Sequence, residues 1–192
     1  MAFLSRKQIN EMGFAHVGEN TLLSDKASYY NCKKISIGSN TRIDDFCVLS
    51  AGEGGIEVGN YVHVAVFVSL IGAGRIFLRD YCGISARTAI YSSNDDYSGD
   101  FMVGPTIPKG FTNVSHSEVE VGRHVIVGAG SVILPGVVLG EGVAVGALSL
   151  VSKSCDAYGV YVGAPAKRIK ERRKGFLEME ARLLSEKAGN DK

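Results

Sequence analysis

Aliphatic residues recur at every sixth position through most of this chain. From Val121 it reads VGRHVI VGAGSV ILPGVV LGEGVA VGALSL. Val121, Val127, Ile133, Leu139, Val145 and Val151 each open a unit of six. Its fifth place holds a small or β-branched residue: Val125, Ser131, Val137, Val143, Ser149 and Cys155. The same frame runs upstream, opening at Val17, Leu23, Ile37, Ile43, Leu49, Val58, Val64, Leu70, Leu78, Ile84 and Ile90. Of these 17 hexads, 14 carry Thr, Ala, Ser, Cys or Val at the fifth place, so the period marks a structural repeat.

Six residues suffice for one short strand and a turn, and three such units close a triangular coil. The aliphatic residue points inward, and the small one lets the chain turn the corner. Coils stacked at the strand spacing of ~4.8 Å pair their backbones with one another. The pattern therefore predicts an all-β fold, a parallel β-helix over residues 17–156. No helical pattern of ten or more residues alternates with the strands, which disfavours a doubly wound sheet. The ends of such a stack need covers. Residues 1–16 include SRKQINEMG, a short capping helix with Ser5 and Gln8 as a capping box and Gly13 as its stop. Within the C-terminal segment 157–192, residues 170–187 read as a helix. Its Phe176, Met179, Leu183 and Leu184 would pack on the column or a neighbour, and the closing GNDK would fray.

The period is broken in one register. Coils begin at 17, 37, 58, 78, 121 and 139, and the extra residues always follow a third hexad. The odd fifth residues Glu53, Gly74 and Asn94 belong to third hexads too. Irregularity thus gathers along one edge, and the largest break is a loop at about 93–120. It opens with IYSSNDDYSG and contains GPTIPKGF, where Pro105 and Pro108 limit flexibility. A shaped wall beside a rigid column is a natural place for function.

Composition narrows the classes. The net charge is +1, which gives no reason to expect nucleic acid or an anionic membrane. The longest uncharged run, Val125–Gly140, is shorter than the ~20 residues of a membrane helix. MAFLSRKQINEMGF lacks the features of a signal peptide, so a cytoplasmic protein is expected. Gly is abundant at 24 residues, which suggests many tight turns. Cys47, Cys82 and Cys155 fall at fifth places as small packing residues, Cys32 lies off the frame, and no CxxC motif is present. No metal is implied.

The hexad array, the loop after the fourth coil and the closing YVGAPAKRIK resemble the hexapeptide-repeat, left-handed β-helix acyltransferases. ISIGSNTRIDDFCVLS, ISARTAIY, DDYSG, VGPTIP and GEGVAVGALSLV are similar to the branch that N-acylates nucleotide-linked amino sugars, including a dTDP-linked 4-amino-4,6-dideoxy sugar in anthrose biosynthesis. The resemblance implies a left-handed helix, a homotrimer, acetyl-CoA or 3-hydroxybutyryl-CoA as donor, and active sites between subunits. Relatives acting on galactosides, maltose and chloramphenicol place a catalytic His in the loop. SSNDDYSG has none.

A hydroxyl needs a base to become a nucleophile. A neutral amine needs chiefly orientation. Loss of His and gain of Asp therefore point to an amine acceptor. Asp95 matches the branch's acidic residue and is the principal catalytic candidate, with Ser85 assisting; capping of a turn is the plain alternative for the acid pair. Asn94, Asp96, Tyr97 and His63 are substrate-binding candidates. Arg42 and Arg87, read as outward places of successive coils, are candidates for the diphosphate. His16, His116 and His124 have weaker claims, and His124 reads as a surface residue. Gly128, Ala129 and Ala147 could admit a pantetheine arm, and Lys153, Lys167, Arg168 and Lys170 could neutralise coenzyme A phosphates. The alternatives are an O-acetyltransferase on a galactoside or polysaccharide with His63 as base, and a non-catalytic β-helix used for assembly or metal binding.

Overall fold

The hexad openings stack in three inward ladders. The computed structural model describes residues 2–190, with side chains as far as residue 187. On the first face Val17, Ile37, Val58, Leu78, Val121 and Leu139 lie in parallel register. Leu23, Ile43, Val64, Ile84, Val127 and Val145 form the second ladder. Leu49, Leu70, Ile90, Ile133 and Val151 form the third. All but the half-buried Val17 are buried. Each such side chain contributes about 1.5–3 kcal/mol relative to exposure. The result is a β-solenoid of about seven turns with a short helix at each end. No helix among the described residues is long and apolar enough to cross a membrane.

The corner is turned one place earlier than the small residues suggest. Most fourth-place residues adopt left-handed φ, among them Asn40 at 56°, Tyr61 at 56°, Tyr81 at 63°, Phe67 at 62° and Arg87 at 61°. This conformation disfavours a side chain by roughly 1–2 kcal/mol. Ring stacking between coils offsets part of it: Tyr61 lies 5.1 Å from Tyr81, and Phe46 lies 5.0 Å from Phe67. The fifth-place side chains sit inside the corner and donate to the next coil. Thr41 Oγ1 reaches Gly59 O at 2.8 Å, Ser131 Oγ reaches Gly146 O at 3.0 Å, and Cys82 Sγ reaches Gly122 O at 3.0 Å. Burial pushes the Cys47 and Cys155 thiols up to about 11 and Cys82 to about 12, as packing residues require. Cys32 lies in a short 3-10 turn, Cys32–Lys34, with its thiol 3.6 Å from Tyr29 O.

Extra residues do not spoil the third hexads. Ile56, Ile76 and Val119 stand two places before the next opening and fill the corner that Glu53, Gly74 and Asn94 leave. Many glycines serve coil spacing instead of turns. A Cβ on Gly38 would lie 2.6 Å from the Gly59 backbone, and one on Gly128 would lie 2.4 Å from Ala147 N.

At the N-terminus α1 (Arg6–Met12) begins at Ser5, whose hydroxyl accepts from Gln8 N while Gln8 Oε1 accepts from Ser5 N. Gly13 closes it at φ 69°. The C-terminal reading needs correction. Lys167–Glu171 is a strand antiparallel to Gly159–Val162, and α2 spans Gly175–Asn190. The strand satisfies the backbone edge of the last coil, a demand that a helix could not meet. Asp191 and Lys192, expected to fray with Gly189 and Asn190, lie outside the described residues. His124 is not a surface residue: it is buried between Tyr81 and Phe176, and its Nε2 lies 2.7 Å from Glu180 of α2. Phe176 anchors the helix, whereas Met179 and Leu184 are about half exposed.

Two glycines separate spacing from composition. Gly128→Ala should destabilise by about 1–3 kcal/mol, because the neighbouring backbone cannot move aside. Gly83→Ala, with no atom closer than 4.0 Å to the new methyl, should change stability by less than about 0.5 kcal/mol. Urea unfolding of both variants checks the contrast.

Candidate active site

The loop leaves the column through a two-stranded ladder. Ser93–Asn94 pairs antiparallel with Ser115–His116, Ser93 opposite His116 and Asn94 opposite Ser115. Ser93 and His116, directly opposite each other, share one side of the ladder, and Asp95 stands one residue beyond its first strand. All three line a cleft of about 770 Å³, with Ile71, Pro105, Ile107 and Lys109 among the other walls. The ladder is fixed to the column: Ser92 Oγ donates to Gly74 O at 2.6 Å, and Ala73 N donates to Ser93 Oγ at 2.7 Å. Ser93 Oγ also lies 2.7 Å from His116 Nδ1.

The two adjacent acids differ. Asp95 is exposed in the cleft with no side-chain partner among the described residues. Asp96 accepts from Ser98 Oγ at 2.6 Å, Ser98 N at 2.9 Å and Asn113 Nδ2 at 3.3 Å. The Ser98 hydroxyl foremost holds its carboxyl below the ordinary carboxylate range. Asp96 therefore braces a turn. The Asn94 side chain projects from the side of the ladder opposite Asp95, and Tyr97 is 87% exposed.

The other candidates lie elsewhere on the column. Arg42, Asp44 and His63 form a cluster on the second face. Arg42 Nε donates to Asp44 Oδ1 at 2.6 Å, and His63 Nε2 lies 2.8 Å from Asp44 Oδ2. Burial would push the Asp44 carboxyl up, but the hydrogen bonds and charges of Arg42 and His63 outweigh it and hold the carboxyl below its ordinary value. Arg42 and His63 line a depression of about 410 Å³ with Asn40, Tyr61 and Val62. Arg87 is not beside Arg42. It stands two coils away, at the corner between the second and third faces, because the fourth place forms the corner and the sixth place lies on a face. There it lies 5.9 Å from the Phe67 ring.

That corner carries a groove of about 490 Å³. Val66, Ala86, Ala129 and Ala147 form its small-residue floor, beside Phe67, Arg87, Gly130 and Leu148. Gly128 adjoins it, and Ser85 precedes Ala86 on the second face, its N–H bound to Val127 O at 2.9 Å. Within one chain Ser85 does not share the Asp95 cleft. Gly163, whose N–H meets Ser149 Oγ at 3.1 Å, brings the strand holding Lys167, Arg168 and Lys170 to the end of this corner. Arg168 pairs with Glu171, and Lys153 is exposed outside the groove. His116, which had only a weaker claim in the sequence, and Ser93, Lys109 and Asp44, which had none, take their places from the fold. The visible clue to the first two was that both ends of a loop must meet where it leaves the stack.

The bacterial transferase hexapeptide family, six repeats, matches residues 118–153. A dTDP-4-amino-4,6-dideoxy-D-glucose acyltransferase from Escherichia coli is 55% identical over 181 residues, 94% of each chain. The chain belongs to the hexapeptide-repeat acyltransferases. This transferase also matches AntD, an N-acyltransferase from Bacillus cereus solved with dTDP and 3-hydroxybutyryl-CoA. The TM-score is 0.93 at 45% identity, covering 97% of this chain and 98% of that one. A variant of AntD altered at one serine, solved with dTDP-4-amino-4,6-dideoxyglucose and coenzyme A, gives a TM-score of 0.92 at 45% identity, with 96% and 97% covered.

The Asp44 cluster makes stability of the transferase depend on acid. Its lowered carboxyl stabilises fully above the ordinary aspartate value of about 3.9, and the contribution is lost as pH falls through the depressed value. Asp44→Asn should remove about 1–3 kcal/mol at neutral pH, and the gap from the parent should close in acid. Urea unfolding across pH measures it.

Proposed function

We propose that the chain transfers an acyl group from a coenzyme A thioester, such as 3-hydroxybutyryl-CoA, to the amine of dTDP-4-amino-4,6-dideoxyglucose. The observation that carries this is its likeness, over nearly its whole length, to the acyltransferase of that substrate. The site chemistry agrees. An exposed carboxylate without a side-chain partner among the described residues, Asp95, can hold an incoming ammonium and aim it at a thioester. The amine then attacks the carbonyl carbon, the C–N bond forms, the C–S bond breaks, and the amide and thiol leave. The small-residue groove suits a pantetheine arm, with Lys167 and Lys170 toward the phosphates. Ser85 beside it would steady the thioester or the amine.

The functional assembly we propose is a homotrimer. Asp95 lies where the third face meets the first, whereas Ser85, His63 and Arg42 lie on the second face. In a threefold assembly of triangular columns, one subunit's second face can meet its neighbour's loop cleft. The two halves then make one site between subunits. Arg42 and His63 would there contact the nucleotide sugar. O-acetylation would use His63, whose Nε2 lies 2.8 Å from Asp44, as base; the likeness to an amino-sugar acyltransferase over 94% of the chain favours the amine instead. Nucleotide sugars and acyl-CoA are cytoplasmic metabolites, and we place the reaction there.

Thiol release from acyl-CoA should follow addition of the 4-amino dTDP-sugar and not its 4-hydroxyl counterpart. Asp95→Asn should lower kcat/KM by about 10- to 100-fold without loss of fold. Activity confined to hydroxylated acceptors would overturn the assignment, and light scattering that shows single chains would overturn the trimer.

A further inference from the structure

Asp95 alone leaves the reaction one step short. A carboxylate beside a bound ammonium stabilises its charged form and so raises its pKa, which opposes the neutral amine that must attack. A second group has to take the proton. We propose that His116, on the return strand of the loop, is that acceptor and thus a further catalytic residue. The inference rests on the N-acyltransferase reading above.

Three observations carry it. His116 and Asp95 line one cleft, His116 from the ladder and Asp95 from the residue that follows its first strand. His116 is exposed there, so a charged imidazolium is solvated. Its ring is also oriented. Ser93 Oγ accepts the Ala73 N–H at 2.7 Å and has a second lone pair for His116 Nδ1–H, also at 2.7 Å. Only this tautomer keeps the Ser93 bond in both protonation states, and it leaves the Nε2 lone pair for the substrate. Asp95 and Lys109 are the charged groups facing the imidazole across the cleft, and Glu118, paired with Arg75, follows it two residues on in the chain. Imidazole can accept and release a proton near neutral pH, which a carboxylate does poorly.

The proton count closes. Nε2 first takes one proton from the bound ammonium and passes it to solvent. The neutral amine then attacks the thioester carbon. The nitrogen of the adduct gives its next proton to Nε2, the C–S bond breaks, and the imidazolium protonates the departing thiolate. Amide, coenzyme A thiol and one solvent proton result.

The test measures kcat/KM against pH with the 4-amino dTDP-sugar for the parent, His116→Gln, His116→Ala and Ser93→Ala. His116→Gln should lower kcat/KM about 10²-fold and abolish the acid limb, and added imidazole should restore part of the activity of His116→Ala. Ser93→Ala, which frees the ring without removing it, should lose about tenfold and shift the limb. A His116→Gln protein within threefold of the parent, or a weaker one that keeps the parent's limb, overturns the proposal. If the His116 variants do not fold, an unchanged limb in Ser93→Ala overturns it. An active parent with indifferent variants defeats only this inference, whereas a parent inactive on the amine defeats the functional reading and this inference with it.

Discussion

Each coil takes its position from the coil beneath it. Main-chain N–H groups bond to carbonyls one coil away, as Gly38 N does to Val58 O and Gly59 N to Leu78 O, both at 2.8 Å. That ladder fixes the spacing, and the spacing fixes which residues fit. An inward aliphatic residue, a glycine where backbones nearly touch, and a donor hydroxyl or thiol inside the corner all follow from it. Because each coil contacts only its neighbours, the stack tolerates an excursion between two coils. Leu78 pairs with Val121 as closely as Val58 pairs with Leu78, although the whole loop intervenes.

The column was legible because its constraint repeats. One inward residue per six, seen 17 times, leaves little freedom for another fold. What did not repeat was harder to read. The left-handed fourth place carries Asn, Tyr, Phe, Arg, His, Leu and Gly, a mixture without a compositional signature, so the turn was credited to the fifth place instead. The basic run at 167–174 has no period, and only the unpaired edge of the last coil makes part of it a strand. His124 looked outward by its place in the hexad. The returning helix then covered it, and nothing local announces a contact with Glu180, 56 residues away.

Site residues were legible by place but not by neighbour. A hexad position says whether a side chain points in, out or along a corner. It does not say which outward residues meet. Arg42 and Arg87 were grouped by charge and then separated by geometry. Arg42 and His63, chosen independently, proved to share Asp44, which no motif had singled out. Asp95 and Asp96 are adjacent in sequence yet opposite in duty: one lines the cleft and the other bonds to Ser98. His116 had a weak claim as an isolated histidine. Its place opposite Ser93 follows only once both ends of the loop are known to leave the column together.

Catalysis of amide formation asks for two electrostatic effects that oppose each other. Capturing an ammonium favours negative charge, and freeing its lone pair favours a site that will accept a proton. One carboxylate cannot serve both ends well. A two-stranded ladder can, because it presents side chains from two strands on one side while its backbone is held by the stack. The anchoring bonds from Ser92 to Gly74 and from Ala73 to Ser93 tie the ladder to the stacked coils. Reacting groups held this way need little reorganisation as charge moves, which is where orientation lowers a barrier. The loop is therefore best understood as an extension of the column's hydrogen bonding into the cleft, with residues 95–114 hung from a fixed base.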